Sequence, residues 1–254
     1  MTIGKAGLTI RDCLLLAVSV GAVLTGLRLP IRAAAPDPPR QVVWTFDRLD
    51  KIGGVTPHVE GHPKVINTPL GKAIEFNGVD DALFIDRHPL AGAGTFTFEA
   101  VFRPDGGNVE QRWFHLAEQD PKTGRDTDTR FLFELRVVET SQWYLDAFVN
   151  GPGYNRALMF RDKVHPIGTW YHVAQVYDGT MYRSYVNGEL QGEAAIAFKA
   201  QGTGHASVGV RINRVNYFKG AVRQARFTPR ALAVTDFMKQ AATLRAADRT
   251  PKAP

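Results

Sequence analysis

Along much of the chain apolar and polar residues alternate one for one. Phe96, Phe98, Ala100 and Phe102 share one parity, and the same period of two runs through Phe131, Phe133, Leu135 and Val137. It returns in Trp143, Leu145, Ala147 and Val149. A period of two marks strands with one face in a core and the other turned away from it. Gly106-Gly107, Asn150-Gly151, Asp178-Gly179 and Asn187-Gly188 separate the runs, and Asn77-Gly78 precedes another. Glycine and asparagine tolerate the positive φ of tight hairpins, so these pairs predict reversals. No ten-residue stripe at helical spacing occurs before residue 231. Thr235 predicts the cap of a short helix to about Ala246, with Phe237, Met238 and Leu244 as its apolar contacts. No linker interrupts residues 42–234. The pattern therefore predicts one antiparallel β-sandwich there, with a short helix and a loose tail over 235–254.

The first 35 residues follow a different pattern. Lys5 and Arg11 precede a charge-free run from Cys13 to Leu27, and Ala33-Ala34-Ala35 comes after it. A basic start, a short apolar stretch and small residues describe a secretory signal peptide. The run is shorter than the ~20 residues of a spanning helix. The protein is thus expected to be exported, with 36–41 as a proline-rich lead-in. Membrane contact is expected only if the leader stays uncleaved as an anchor. Composition changes the picture at two points. The net charge of +6 falls to +3 once Lys5, Arg11, Asp12, Arg28 and Arg32 are removed, which takes away the main support for a nucleic-acid partner. Cys13 is the single cysteine, so an internal disulfide and a multi-cysteine zinc site are excluded.

Four segments carry a resemblance. They are Trp44-Thr45-Phe46-Asp47; Gly71 to Leu83 (GKAIEFNGVDDAL); Gly168 to Gly179 (GTWYHVAQVYDG) with Tyr185-Val186-Asn187-Gly188; and Phe218 to Phe227 (FKGAVRQARF) with Arg230-Ala231-Leu232. In this order they resemble the laminin G-like jelly roll of the concanavalin A-like lectin/glucanase superfamily. The resemblance implies an all-β fold, a concanavalin A-like jelly roll, with a glycan or an extracellular protein as partner. Many relatives carry an Asp at the position of Arg223, where it helps hold a structural calcium against an Asp of the opening strand. Arginine cannot ligate calcium. No cofactor is expected; a structural calcium is the alternative, kept open by Asp47 and disfavoured by Arg223.

Alternation also nominates a site. If Phe96/Phe98, Phe114/Leu116, Phe133/Leu135, Trp143/Leu145 and His172/Ala174/Val176 point inward, the opposite parity shares one outer face. That face would hold Glu99, Trp113, His115, Glu134, Arg136, Tyr144, Asp146, Tyr171 and Gln175. In the superfamily this concave sheet usually holds the sugar, with aromatic rings stacking on pyranoses and charged groups bonding hydroxyls. An ordinary solvated face would have a similar composition. Trp44 and Trp170 are expected in the core or at its rim, and His172 as a structural residue.

Enzymatic readings find less support. Retaining glucanases of this fold need two carboxylates about 5–5.5 Å apart, from a Glu-x-Asp-x-(x)-Glu strand. Here Glu134 and Glu139 have opposite parity and the middle Asp is missing. A polysaccharide lyase would draw on His115, Arg136 and Gln175, but the chain has no Gln-x-His tripeptide. No G-x-S-x-G elbow occurs. The expected function is a non-catalytic, carbohydrate-binding recognition module. A lyase or other glycan-active enzyme and a structural or adhesive module of the cell envelope are the alternatives, and no catalytic or metal-ligating residue is assigned.

Overall fold

The alternating runs fold as strands because each buries one row of side chains against a second layer, as the computed structural model of the protein shows. It describes residues 1–2, 40–139, 141–239 and 244. Among the described residues fifteen strands follow in chain order. The first five are β1 (Val42–Thr45), β2 (His58–Glu60), β3 (Lys64–Thr68), β4 (Gly71–Asn77) and β5 (Ala82–Ile85). Next come β6 (Phe96–Pro104), β7 (Glu110–Gln119), β8 (Asp126–Val138), β9 (Gln142–Gly151) and β10 (Tyr154–Pro166). The last are β11 (Tyr171–Tyr177), β12 (Met181–Val186), β13 (Glu189–Ala195), β14 (Gly204–Val208) and β15 (Lys219–Thr228).

They form two antiparallel sheets. The first runs β13-β12-β11-β6-β15-β4-β3, with β1 also paired to β15; the second runs β10-β9-β8-β7-β14-β5-β2. The protein is therefore an all-β antiparallel sandwich of jelly-roll type. Aromatic side chains fill the space between the sheets. Phe98 of β6 stacks on Phe133 of β8 at 3.9 Å between ring centroids, and Phe102 lies over Trp113 at 4.6 Å. Trp44 is fully buried in this core, whereas Trp170 sits at the surface with the Arg103 guanidinium 5.5 Å from its ring.

Turn chemistry sets the hairpins. Asn187 and Gly188, at φ 48° and 74°, join β12 to β13 as expected of an Asn-Gly pair. Asp178 Oδ1 accepts from the Thr180 and Met181 amides in the β11–β12 turn. The reversal expected at Asn150-Gly151 falls two residues later. Tyr154 pairs directly with Gly151, leaving Pro152 and Gly153 (φ 85°) as the turn.

The C-terminal segment covers part of the first sheet's outer face. A 3-10 turn spans Val234–Asp236, and Leu232, Phe237 and Met238 are buried there. Leu232 and Phe237 pack on Ala174 and Val176 of β11. Half of the helix expected from Thr235 to Ala246 lies outside the described residues, as does the leader beyond Thr2. The Arg223 guanidinium donates to the Leu70 carbonyl.

Candidate functional site

The outer face of the second sheet carries a row of charged side chains. On β8, Phe131, Phe133 and Leu135 point into the core, so Arg130, Leu132, Glu134 and Arg136 point outward. Register puts Asp146 of β9 directly opposite Glu134, and Tyr144 opposite Arg136. Arg112 of β7 faces Glu134 from the other side. These strands, with Phe148 of β9, Ala157 and Met159 of β10 and Arg211 from the loop after β14, line a cavity of about 190 Å³.

Its charged groups form a chain. Arg112 Nε lies 2.6 Å from Glu134 Oε1 and its Nη2 lies 2.7 Å from Glu110 Oε1. Arg136 reaches Glu110 at 2.8 Å and donates from Nε to Asp146 Oδ2 at 2.7 Å. Glu134 and Asp146 are both almost fully buried. Burial, and next the Asp146 charge opposite, raise the Glu134 carboxyl to about 7; burial also raises Asp146. Arg130 donates from Nη1 to Asp128 and lies over the Phe148 ring at 5.2 Å. Arg211 is depressed, first by burial and then by Arg130 and Arg112 nearby. His115 stands beside this group on β7, with Nδ1 accepting from the Ile212 amide at 3.0 Å. Burial, followed by the positive charges of Arg211 and Arg130, holds it well below the usual histidine range.

Of the residues nominated by alternation, the structure brings Glu134, Arg136 and Asp146 together in the cavity. His115 and Tyr144 lie on the same face. Four others are elsewhere. Trp113 is fully buried in the core, because a bulge between Arg112 and Phe114 turns Trp113 and Phe114 both inward. Glu99 and Gln175 belong to the first sheet. Glu99 is buried under the C-terminal segment, accepting from His172, Arg226 and the Met238 amide. Gln175 faces the core, where Ser184 Oγ donates to it at 2.7 Å. Tyr171 also faces the core and donates to the Pro166 carbonyl at 2.6 Å. The parity of β11 is thus the reverse of the expected one. Tyr171, Val173, Gln175 and Tyr177 point inward, while His172, Ala174 and Val176 lie beneath the closing segment.

Alternation missed Arg112, Arg130, Phe148 and Arg211. Arg130 shares the parity of Glu134, and Phe148 that of Asp146, so extending the runs by one step finds both. Arg112 needs the β7 bulge, and Arg211 comes from a loop that only the folded chain places here. His115, Arg136 and Gln175, the trio a lyase would use, do not share a face.

Comparison with known proteins supports the fold. Domain 4 of an extracellular arabinanase from Geobacillus stearothermophilus, solved in complex with arabinotriose, superposes with a TM-score of 0.59 at 17% identity. The match covers 82% of this chain and 100% of that domain. A botulinum neurotoxin type C structure, whose cell entry depends on two ganglioside molecules, gives 0.56 at 8% identity over 81% of this chain and 51% of that one. The binding domain of botulinum neurotoxin DC, solved with rat synaptotagmin II, gives 0.57 at 9% identity over 80% and 51%. The present chain spans about half the length of each toxin chain. No curated protein matches it. A laminin G-type family model matches residues 77–236, which include β5 to β15 and all of the cavity's lining. With sandwich and family model in agreement, the chain belongs to the concanavalin A-like lectin/glucanases superfamily.

Proposed function

We propose that this protein is an exported, non-catalytic module that binds carbohydrate on the outer face of its second sheet. The observation that carries the reading is the cavity itself. Planar guanidinium and carboxylate groups, fixed by one another, stand beside the Phe148 ring and Met159 on the outer side of the second sheet. Such a surface offers sugar hydroxyls preoriented donors and acceptors and offers pyranose faces an apolar contact. The arabinotriose bound to the arabinanase domain and the gangliosides named for the type C toxin show that sandwiches of this shape serve sugar recognition elsewhere.

A glycan array probed with the protein tests the reading, followed by titration calorimetry on the best oligosaccharide. The expected result is binding that Phe148→Ala and Arg136→Ala each weaken at least tenfold. A blank array, or binding indifferent to both substitutions, would overturn it. Incubation with uronic-acid polymers should give no rise in the absorbance of an unsaturated product.

A further inference from the structure

The charged groups of the cavity are unevenly satisfied, and the imbalance has a chemical sense. Every carboxylate there already meets at least one arginine: Glu134 meets Arg112, Glu110 meets Arg112 and Arg136, and Asp146 Oδ2 meets Arg136. Donors are in surplus. The partly buried Arg211 guanidinium lines the cavity, where Arg130 and Arg112 repel it, and Arg130 Nε is buried with no partner. His115 Nε2 is buried without a partner as well. Because Nδ1 accepts from the Ile212 amide, a neutral His115 carries its proton on Nε2 and adds a second buried donor without an acceptor. One buried acceptor remains open, Asp146 Oδ1.

Buried donors without acceptors are costly, and two guanidinium groups that repel each other cost more. A neutral sugar would relieve little of this. Its hydroxyls bring donors as well as acceptors and no charge. A planar or tetrahedral anionic group brings two or three acceptors and a negative charge that guanidinium forks match.

Resting on the carbohydrate reading above, we propose that the ligand is an acidic sugar whose carboxylate or sulfate seats on Arg211 and Arg130, with a neighbouring hydroxyl donating to Asp146 Oδ1. Arg211 is the specificity residue. It takes no part in the Arg112–Glu134 and Arg136–Asp146 pairs, so its removal leaves them intact and relieves repulsion with Arg130 and Arg112.

Calorimetry with the full chain tests this on four oligosaccharides: a uronate, its carboxyl-reduced neutral counterpart, a sulfated chain and its desulfated counterpart. At least one acidic member should bind about tenfold or more tightly than its neutral partner, the size expected of one charge-assisted contact. The uronate and sulfate arms tell the two anions apart. Arg211→Ala should erase the preference, and Arg211→Lys should restore part of it, with thermal melts confirming that both variants stay folded. If neutral and acidic members bind equally, or if Arg211→Ala spares the preference, this inference fails while the carbohydrate reading stands. If no member of the panel or the array binds, both fail.

Discussion

Glu99 Oε1 lies 3.0 Å from His172 Nε2 on the outer side of the first sheet, and neither side chain touches solvent. The same carboxylate accepts from Arg226 Nε at 2.6 Å and from the Met238 amide at 2.6 Å. One acidic group thereby ties β6, β11, β15 and the closing segment together. Arg226 Nη2 also reaches the Asp236 carbonyl at 2.8 Å, which fastens the 3-10 turn.

Glu99→Ala leaves His172 and Arg226 buried without their anion. Removing one partner of such a pair typically costs about 3–5 kcal/mol. Urea denaturation should therefore show a large loss of stability, together with earlier proteolysis near residue 238. Sugar binding by the remaining folded protein should be unaffected, since this group lies on the other sheet. A variant as stable as the wild type would refute the role given to Glu99.

Trp113 and Phe148 make a contrasting pair. Trp113→Ala empties a fully buried aromatic site between Phe98 and Phe102 and should cost about 3–5 kcal/mol. Phe148→Ala removes a half-exposed ring and should change stability far less while weakening binding. Thermal melts read beside calorimetry separate the two effects; equal losses of stability would contradict the placement of these rings.

Glu134 makes stability fall as pH rises. Its folded carboxyl titrates near 7 against 4.5 when free, so the folded state holds the proton more tightly across that window. The benefit is complete below pH 4.5 and is lost on going up to pH 7. Glu134→Gln keeps an oxygen for Arg112 and cannot ionise. Relative to this variant, the wild type should lose up to about 3 kcal/mol between pH 4.5 and 7. Parallel curves would show that the carboxyl is not raised.

His88 acts in the opposite sense. Its Nε2 lies 2.8 Å from Gln201 Oε1, and its Nδ1 accepts from the Leu90 amide at 3.3 Å, so both nitrogens are used by the neutral ring. Burial is the main cause that lowers it to about 4. The unfolded chain takes up the proton at 6.5, so stability is complete above that pH and is lost as pH falls towards 4. His88→Gln should flatten this acid limb in denaturation curves taken from pH 8 to 4. An unchanged limb would assign acid lability to other groups, His115 foremost.

Much of this was legible in the residues. Phe131-x-Phe133-x-Leu135 and Trp143-x-Leu145-x-Ala147 each have one apolar and one charged face, so their parity admits a single orientation, and Glu134, Arg136 and Asp146 follow from it. Tyr171 to Tyr177 does not. That strand is covered on both sides, by the core and by Leu232 and Phe237, so both parities are apolar and the choice is not written locally.

The sequence by itself determined the two-residue period, most of the hairpins, the family and the outward row of β8 and β9, because these depend on neighbours within a few residues. The tertiary structure alone decided that Glu99 and Gln175 belong to the other sheet, that a bulge turns Trp113 inward, and that Arg211 joins the cavity. Alternation states which residues of one strand share a side. Which strands share a sheet, and which loops close over it, is set by packing between segments as distant as residues 134 and 211.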